Sequence, residues 1–105
     1  MKLIEIHTTV ATSEDAHQIA TFLVVQKLVA CAQITEIKSY YYWEGALQAA
    51  AEFRISLKSV DANYAAIEGA IRERHPYALP AVYAVPVEHA FSPYANWVIE
   101  NSAGE

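Results

Sequence analysis

The segment YYYWEG, Tyr40 to Gly45, sets four consecutive aromatic residues against an acid and a glycine. So much apolar area beside a turn needs cover, from the core, from a ligand or from another subunit. Its flanks decide how it folds. Upstream, Ala30 to Trp43 has no helix cap and no proline, and its density of Ile, Thr and Tyr favours extended chain. Downstream, in EFRISLKSV, Phe53, Ile55 and Leu57 alternate with Arg54, Ser56 and Lys58, the period of a half-buried strand. Two strands joined across Glu44 to Gln48 make a long hairpin, with Gly45 supplying a turn conformation that other residues resist. The step from Ile34 to Ile37 breaks strict alternation and predicts a bulge.

The length of this hairpin carries a consequence. A strand of about twelve residues runs about 40 Å at roughly 3.3 Å per residue, whereas a compact globule of this chain length is about 33 Å across, from a radius of gyration near 13 Å. The tip therefore overhangs. Overhanging strands expose unpaired backbone groups, so neighbouring subunits are expected to receive the hairpin. The alternative is that the bulge bends it back over its own subunit.

The 105 residues make room for one domain, spanning 1–105, and 54% hydrophobic content with 18% charge describes a folded globular chain. A chain this short buries only roughly two-thirds of its unfolded surface, so oligomerisation is a natural source of extra stability. Seven basic against twelve acidic residues give a net charge of −5, with no Lys/Arg cluster, which argues against nucleic acid and anionic membranes as partners. MKLIEIHTTVATSED lacks the long apolar run and small-residue cleavage site of a signal peptide, and no apolar stretch approaches a bilayer span. The single cysteine, Cys31, cannot form an internal disulfide, and a reducing cytoplasm is the expected compartment.

Outward from the hairpin the remaining elements follow. Leu3 to Val10 is β-branched and reads as a first strand. Thr12 or Ser13 caps a helix running to about Val29, with Ala16, Ile19, Ala20, Leu23, Val24 and Leu28 at helical spacing. Asp61 is expected to cap a second helix, which Pro76 ends. ALPAVYAVPVEHA reads as a fourth strand with prolines near its ends. SPYANWVIENS reads as a short last helix with Ser92 as cap, Pro93 at the first helical position and Trp97 as anchor. The order β-α-β-β-α-β plus a terminal helix predicts an α+β, ferredoxin-like sandwich: two helices on one face of an antiparallel sheet, with the second and third strands extended as the hairpin.

Chemistry is sparse. Four histidines, one cysteine and many acids raise the question of a metal, yet no C-x-x-C, H-x-x-x-H or H-E-x-x-H pattern occurs. Cys31, between alanines where a helix feeds a strand, reads first as a small buried hydrophobe. His7 reads as a hydrogen-bonded structural imidazole, and His17 and His89 as surface residues. His75, in RHPY, stands at the C-terminal end of a helix. There a cationic or donating side chain complements the helix's negative end, while the functional reading is a metal or anion ligand. Glu44 and Glu52 could pair across the hairpin, although exposed carboxylates are usually solvated. No Ser-His-Asp or Cys-His arrangement and no glycine-rich phosphate loop calls for an enzyme.

Six segments together resemble the CutA, or divalent-cation tolerance, family: Thr8-Thr9, LVACAQI (Leu28 to Ile34), SYYYWEG (Ser39 to Gly45), RISLKS (Arg54 to Ser59), RHPYALPAVYAVPV (Arg74 to Val87) and SPYANWV (Ser92 to Val98). The resemblance covers nearly the whole chain in order. It implies a tight homotrimer in which long hairpins complete sheets across subunits, in agreement with the overhang. It also implies a non-enzymatic role in metal-ion response, with copper or another divalent cation as bound ion. The architecture resembles that of the PII signalling proteins, which bind small effectors in clefts between subunits. The chain departs from the family at Ala78 and Ala81, and at Ala46, Gln48, Ala49, Ala50 and Ala51, where acids or lysines are frequent. Hard cations need clustered oxygens, so these replacements weaken a carboxylate site. Thr8 and Arg74 replace the cysteine and second histidine of some members, leaving His75, Cys31 and Glu52 as the expected metal donors. Tyr41, Trp43, Glu44, Gly45 and Tyr77 are expected to form a ligand cleft or subunit interface, and a small molecule or a protein partner is the alternative to a metal.

Overall fold

Alternating side chains in the first strand and in EFRISLKSV turn one set of apolar residues toward the helices and the other set toward an open sheet face. The computed structural model, which describes residues 1–104, realises that sorting in the order β1 (Leu3–Val10), α1 (Ser13–Val25), β2 (Cys31–Trp43), β3 (Ala46–Val60), α2 (Tyr64–Arg74), β4 (Val82–Pro86) and α3 (Ser92–Glu100). The sheet order is β2-β3-β1-β4 with every neighbouring pair antiparallel. Ile4, Ile6 and Val10 of β1 and Ile55 and Leu57 of β3 meet Ile19 and Leu23 of α1 and Ile67 and Ile71 of α2 in one core. This is the expected α+β, ferredoxin-like arrangement.

Several boundaries differ from expectation, each for a local reason. Helix α1 stops at Val25 rather than near Val29. The Lys27 N–H donates to the Val24 carbonyl at 3.0 Å and the Leu28 N–H to the Leu23 carbonyl at 3.1 Å, with Lys27 at φ 56°, a left-handed cap made without glycine. At its other end Thr12 is the cap, its Oγ1 accepting from the Asp15 N–H at 3.1 Å. Asp61 does not cap α2; a 3-10 turn, Asp61–Asn63, intervenes. The Asn63 amide instead donates to the Leu28 and Ser102 carbonyls at 3.1 and 2.8 Å. Ser92 is the first residue of α3 with Phe91 before it as the cap residue, and no side chain caps the helix. Trp97 is half-exposed, and Val98 is the residue that α3 buries. Strand β4 is confined to Val82–Pro86, because the chain before it serves the cleft described below.

The hairpin also differs in detail. Pairing runs without interruption from Cys31 opposite Lys58 to Trp43 opposite Ala46. The expected bulge is absent: Ile34 and Ile37 lie on opposite faces of a regular strand. The reversal takes two residues, Glu44 at φ 52° and Gly45 at φ 81°, rather than the span to Gln48. Two left-handed central residues give a turn whose twist matches that of the strands. Strand β1 accompanies β3 only as far as Val10 opposite Phe53, so Ala46–Glu52 has β2 along one edge and no strand along the other. The longest dimension of the chain is 45 Å, and its radius of gyration of 14.3 Å exceeds the roughly 13 Å of a compact chain this long. The overhang is thus present and does not fold back.

Nothing lies within 4 Å of the position a Cβ would take at Gly45, so Gly45→Ala costs only backbone strain. That substitution is expected to lower the unfolding free energy by about 1 to 2 kcal/mol. Glu44→Asn is expected to raise it, since Asn before Gly is the favoured pair in this turn. Urea unfolding of both variants beside wild type checks the two signs.

Candidate functional site

Residues paired directly across a sheet point to the same side, so strand register alone assembles most of the site. Glu52 is opposite Ile37, and Thr9 is opposite Arg54; Ser39, Tyr41 and Trp43 follow Ile37 at alternate positions. All stand on the open face. The segment between α2 and β4 meets the end of this face and closes a cleft of about 470 Å³, walled by Tyr41, Trp43, Tyr77 and Leu79 around Glu52 and Thr9. Ala78 and Ala81 also line it and leave these walls apolar. Tyr40 and Tyr42 point to the other face and are 68% and 75% exposed, against 41% for Tyr41.

Glu52 is only 5% exposed. Its Oε2 accepts a hydrogen bond from the Tyr77 hydroxyl at 2.6 Å, the short distance of a charge-assisted bond. Burial, and then the hydrogen bond and charge of Glu52, push the Tyr77 hydroxyl well above its ordinary pKa. The phenol therefore keeps its proton across the neutral range and acts as a donor. Glu44 is at the hairpin tip beside Gly45 and does not pair with Glu52, because the two-residue turn takes it out of the ladder.

His75 sits at the C-terminus of α2, where its backbone N–H donates to the Ile71 carbonyl at 2.8 Å. Its ring is buried and both nitrogens are engaged. Nε2 lies 2.7 Å from the Thr9 carbonyl, which only accepts, so Nε2 carries the proton; Nδ1 accepts from the Tyr77 N–H at 3.1 Å. The imidazole thus holds the start of the loop to the end of β1 and presents Tyr77 to Glu52. His75, Tyr77 and Glu52 come together, while Cys31 does not join them. It is half-buried at the start of β2, opposite Lys58, about 20 Å along the strand from the Ile37–Glu52 row at roughly 3.3 Å per residue. Among the described residues no group of three or more His, Cys, Asp or Glu side chains is placed to hold a metal. Arg74 lies over the Phe22 ring, 3.4 Å from its centre, and bonds the Ala70 carbonyl.

His7 lies within 3.2 Å of the Glu5 carboxylate and 3.4 Å of the Ser56 hydroxyl, as a structural imidazole should, and His17 and His89 are exposed. Thr9, Ser39 and Leu79 are site residues that the sequence reading missed. Ser39 was recoverable, since it precedes Tyr41 by two in the same strand; Leu79, on a loop, carried no periodic signal.

Tyr77→Phe leaves a buried acceptor without its donor and is expected to cost about 1 to 3 kcal/mol near neutral pH. Because folding raises the Tyr77 pKa, its contribution is complete below the ordinary value of 10.0 and declines as pH rises past it, when the unfolded chain ionises first. The stability gap between wild type and Tyr77→Phe should therefore narrow above pH 10.0. A gap independent of pH in denaturant titrations would contradict this role.

A family model described as CutA1 divalent ion tolerance protein matches residues 4–101. The divalent-cation tolerance protein CutA of Archaeoglobus fulgidus is 34% identical over 95 residues, covering 90% of this chain and 93% of the relative. That of Pyrococcus horikoshii is 30% identical over 100 residues, covering 95% and 98%. Among solved structures, CutA1 from Oryza sativa superposes with a TM-score of 0.96 at 27% identity, covering 100% of this chain and 97% of the other. The Archaeoglobus fulgidus structure gives 0.93 at 32% identity, covering 95% and 98%. Alike in sequence and in fold over nearly its full length, the chain belongs to the CutA1 divalent ion tolerance protein family.

Proposed function

We propose that this chain acts as a non-enzymatic homotrimer in the response to divalent cations. The observation that carries the assembly is the overhang: Ala46–Glu52 runs past the end of β1 with one backbone edge free, beside the exposed aromatic side chains of Tyr41 and Trp43. A free edge of this kind is a template for a strand from another chain, and half-exposed aromatic residues suit the same contact. The number three follows from the sequence resemblance to the family. The role in cation response rests on family membership, and cytoplasmic placement on the lone cysteine.

Within one protomer His75, Glu52 and Cys31 make no common ligand set. In this reading copper, or another divalent cation, takes donors from more than one chain, and His75 gives up its bond to Thr9 or Tyr77 to coordinate it. A second reading is favoured by the cleft itself, which has aromatic walls and one buried carboxylate, the composition of a small-molecule pocket. A protein partner held on a rigid trimer is the third.

Light scattering should give three times the 11.6 kDa protomer mass, and Trp43→Ala should shift that mass downward on dilution. A Trp43→Ala variant that stays trimeric and melts like wild type would remove the contact role. Calorimetric titration of Cu(II) into the trimer should give a saturable heat that His75→Gln reduces. Equal weak heats in both proteins would remove His75 as a ligand.

A further inference from the structure

The cleft holds an unbalanced charge. Glu52 is 5% exposed and receives one hydrogen bond, from Tyr77, and no Lys, Arg or His is ion-paired with it among the described residues. Buried carboxylates are ordinarily paired with a cation, because removing them from water is unfavourable. The side chains beside it in the cleft are Tyr41, Trp43 and Tyr77, whose ring faces attract positive charge, the more so where water is excluded. Ala78 and Ala81 add no charge of their own. We propose that this cleft binds a small organic cation of the methylated ammonium class, with Glu52 as counter-ion and Tyr41, Trp43 and Tyr77 as walls. The proposal rests on the small-molecule reading of the cleft and names its ligand class.

The apolar, aromatic walls favour one kind of cation. A primary ammonium carries three N–H groups, each needing an acceptor. One Glu52 oxygen is already engaged by Tyr77, and the remaining hydroxyls in the cleft are those of Ser39, Thr9 and the tyrosines. A fully methylated ammonium has no donors to satisfy and offers its methyl groups to the rings. A hard divalent ion is served poorly, since it demands about six oxygens and the cleft supplies one carboxylate. The named lining residues all come from one chain, and Tyr41 and Trp43 among them also belong to the proposed subunit contact, so the site borders that contact.

The test compares choline chloride with its neutral isostere 3,3-dimethyl-1-butanol, and with ethanolamine, at equal ionic strength. It uses the intact protein, wild type and Glu52→Gln, by calorimetry and thermal shift, with light scattering to record the assembly. Choline should bind wild type at least about tenfold more tightly than the isostere, the difference expected for a desolvated cation on aromatic faces. It should also bind more tightly than ethanolamine. Glu52→Gln keeps an acceptor for the Tyr77 hydroxyl but not the charge, and it should abolish the preference. The wild-type comparison stands alone if that variant folds poorly. Equal affinity for choline and the isostere overturns the proposal. Stabilisation by neutral or anionic metabolites in a wider screen, but not by choline, overturns the charge assignment and leaves the small-molecule reading standing. Silence from every compound on an intact trimer removes both.

Discussion

A two-residue reversal with both residues left-handed, Glu44 and Gly45, is the constraint on which the rest of this protein depends. It locks β2 and β3 into one unbroken register, so that the ladder continues well past the point where β1 ends. Slippage of β3 by a single residue would exchange its two faces. Ile55 and Leu57 would leave the core, and Glu52 would leave the cleft. The same register that builds the hydrophobic layer beneath the helices therefore positions the candidate site on the opposite face.

The second element of the site is a short loop rather than a strand, and a single imidazole holds it. His75 carries no free nitrogen: one binds the Thr9 carbonyl and the other receives the Tyr77 amide. Through that pair of bonds the exit from α2 is tied to the end of β1, and Tyr77 is presented to Glu52. Sequence reasoning weighed His75 as a helix-end residue against a ligand. Its geometry is that of a positioning group, and it would have to surrender one structural bond to coordinate a metal.

Much of the fold was legible because strand and helix periods are strong signals where one face is buried. β1 was read as a strand and the Phe53-Ile55-Leu57 alternation as a half-buried one, and the overhang followed from strand and chain length. What was not legible depended on partners distant in sequence. The left-handed Lys27 that ends α1 lacks the usual glycine, and Asn63 serves the Leu28 and Ser102 carbonyls instead of its own helix. The supposed bulge at Ile34 to Ile37 was a misreading of an edge strand exposed on both faces, where alternation has little to enforce it. The burial of Glu52 was not legible, because its cover, Tyr77, comes from a loop twenty-five residues away.

In the proposed assembly the free edge of Ala46–Glu52 is paired by another copy of the chain. Alternate N–H groups of β3 point away from β2 there, and in an isolated protomer they face solvent. Amide hydrogen exchange resolved to these residues reads that edge directly. Slow exchange is expected in the assembled protein, accelerating on dilution or in Trp43→Ala. Rapid exchange of the outward amides at every protein concentration would contradict it.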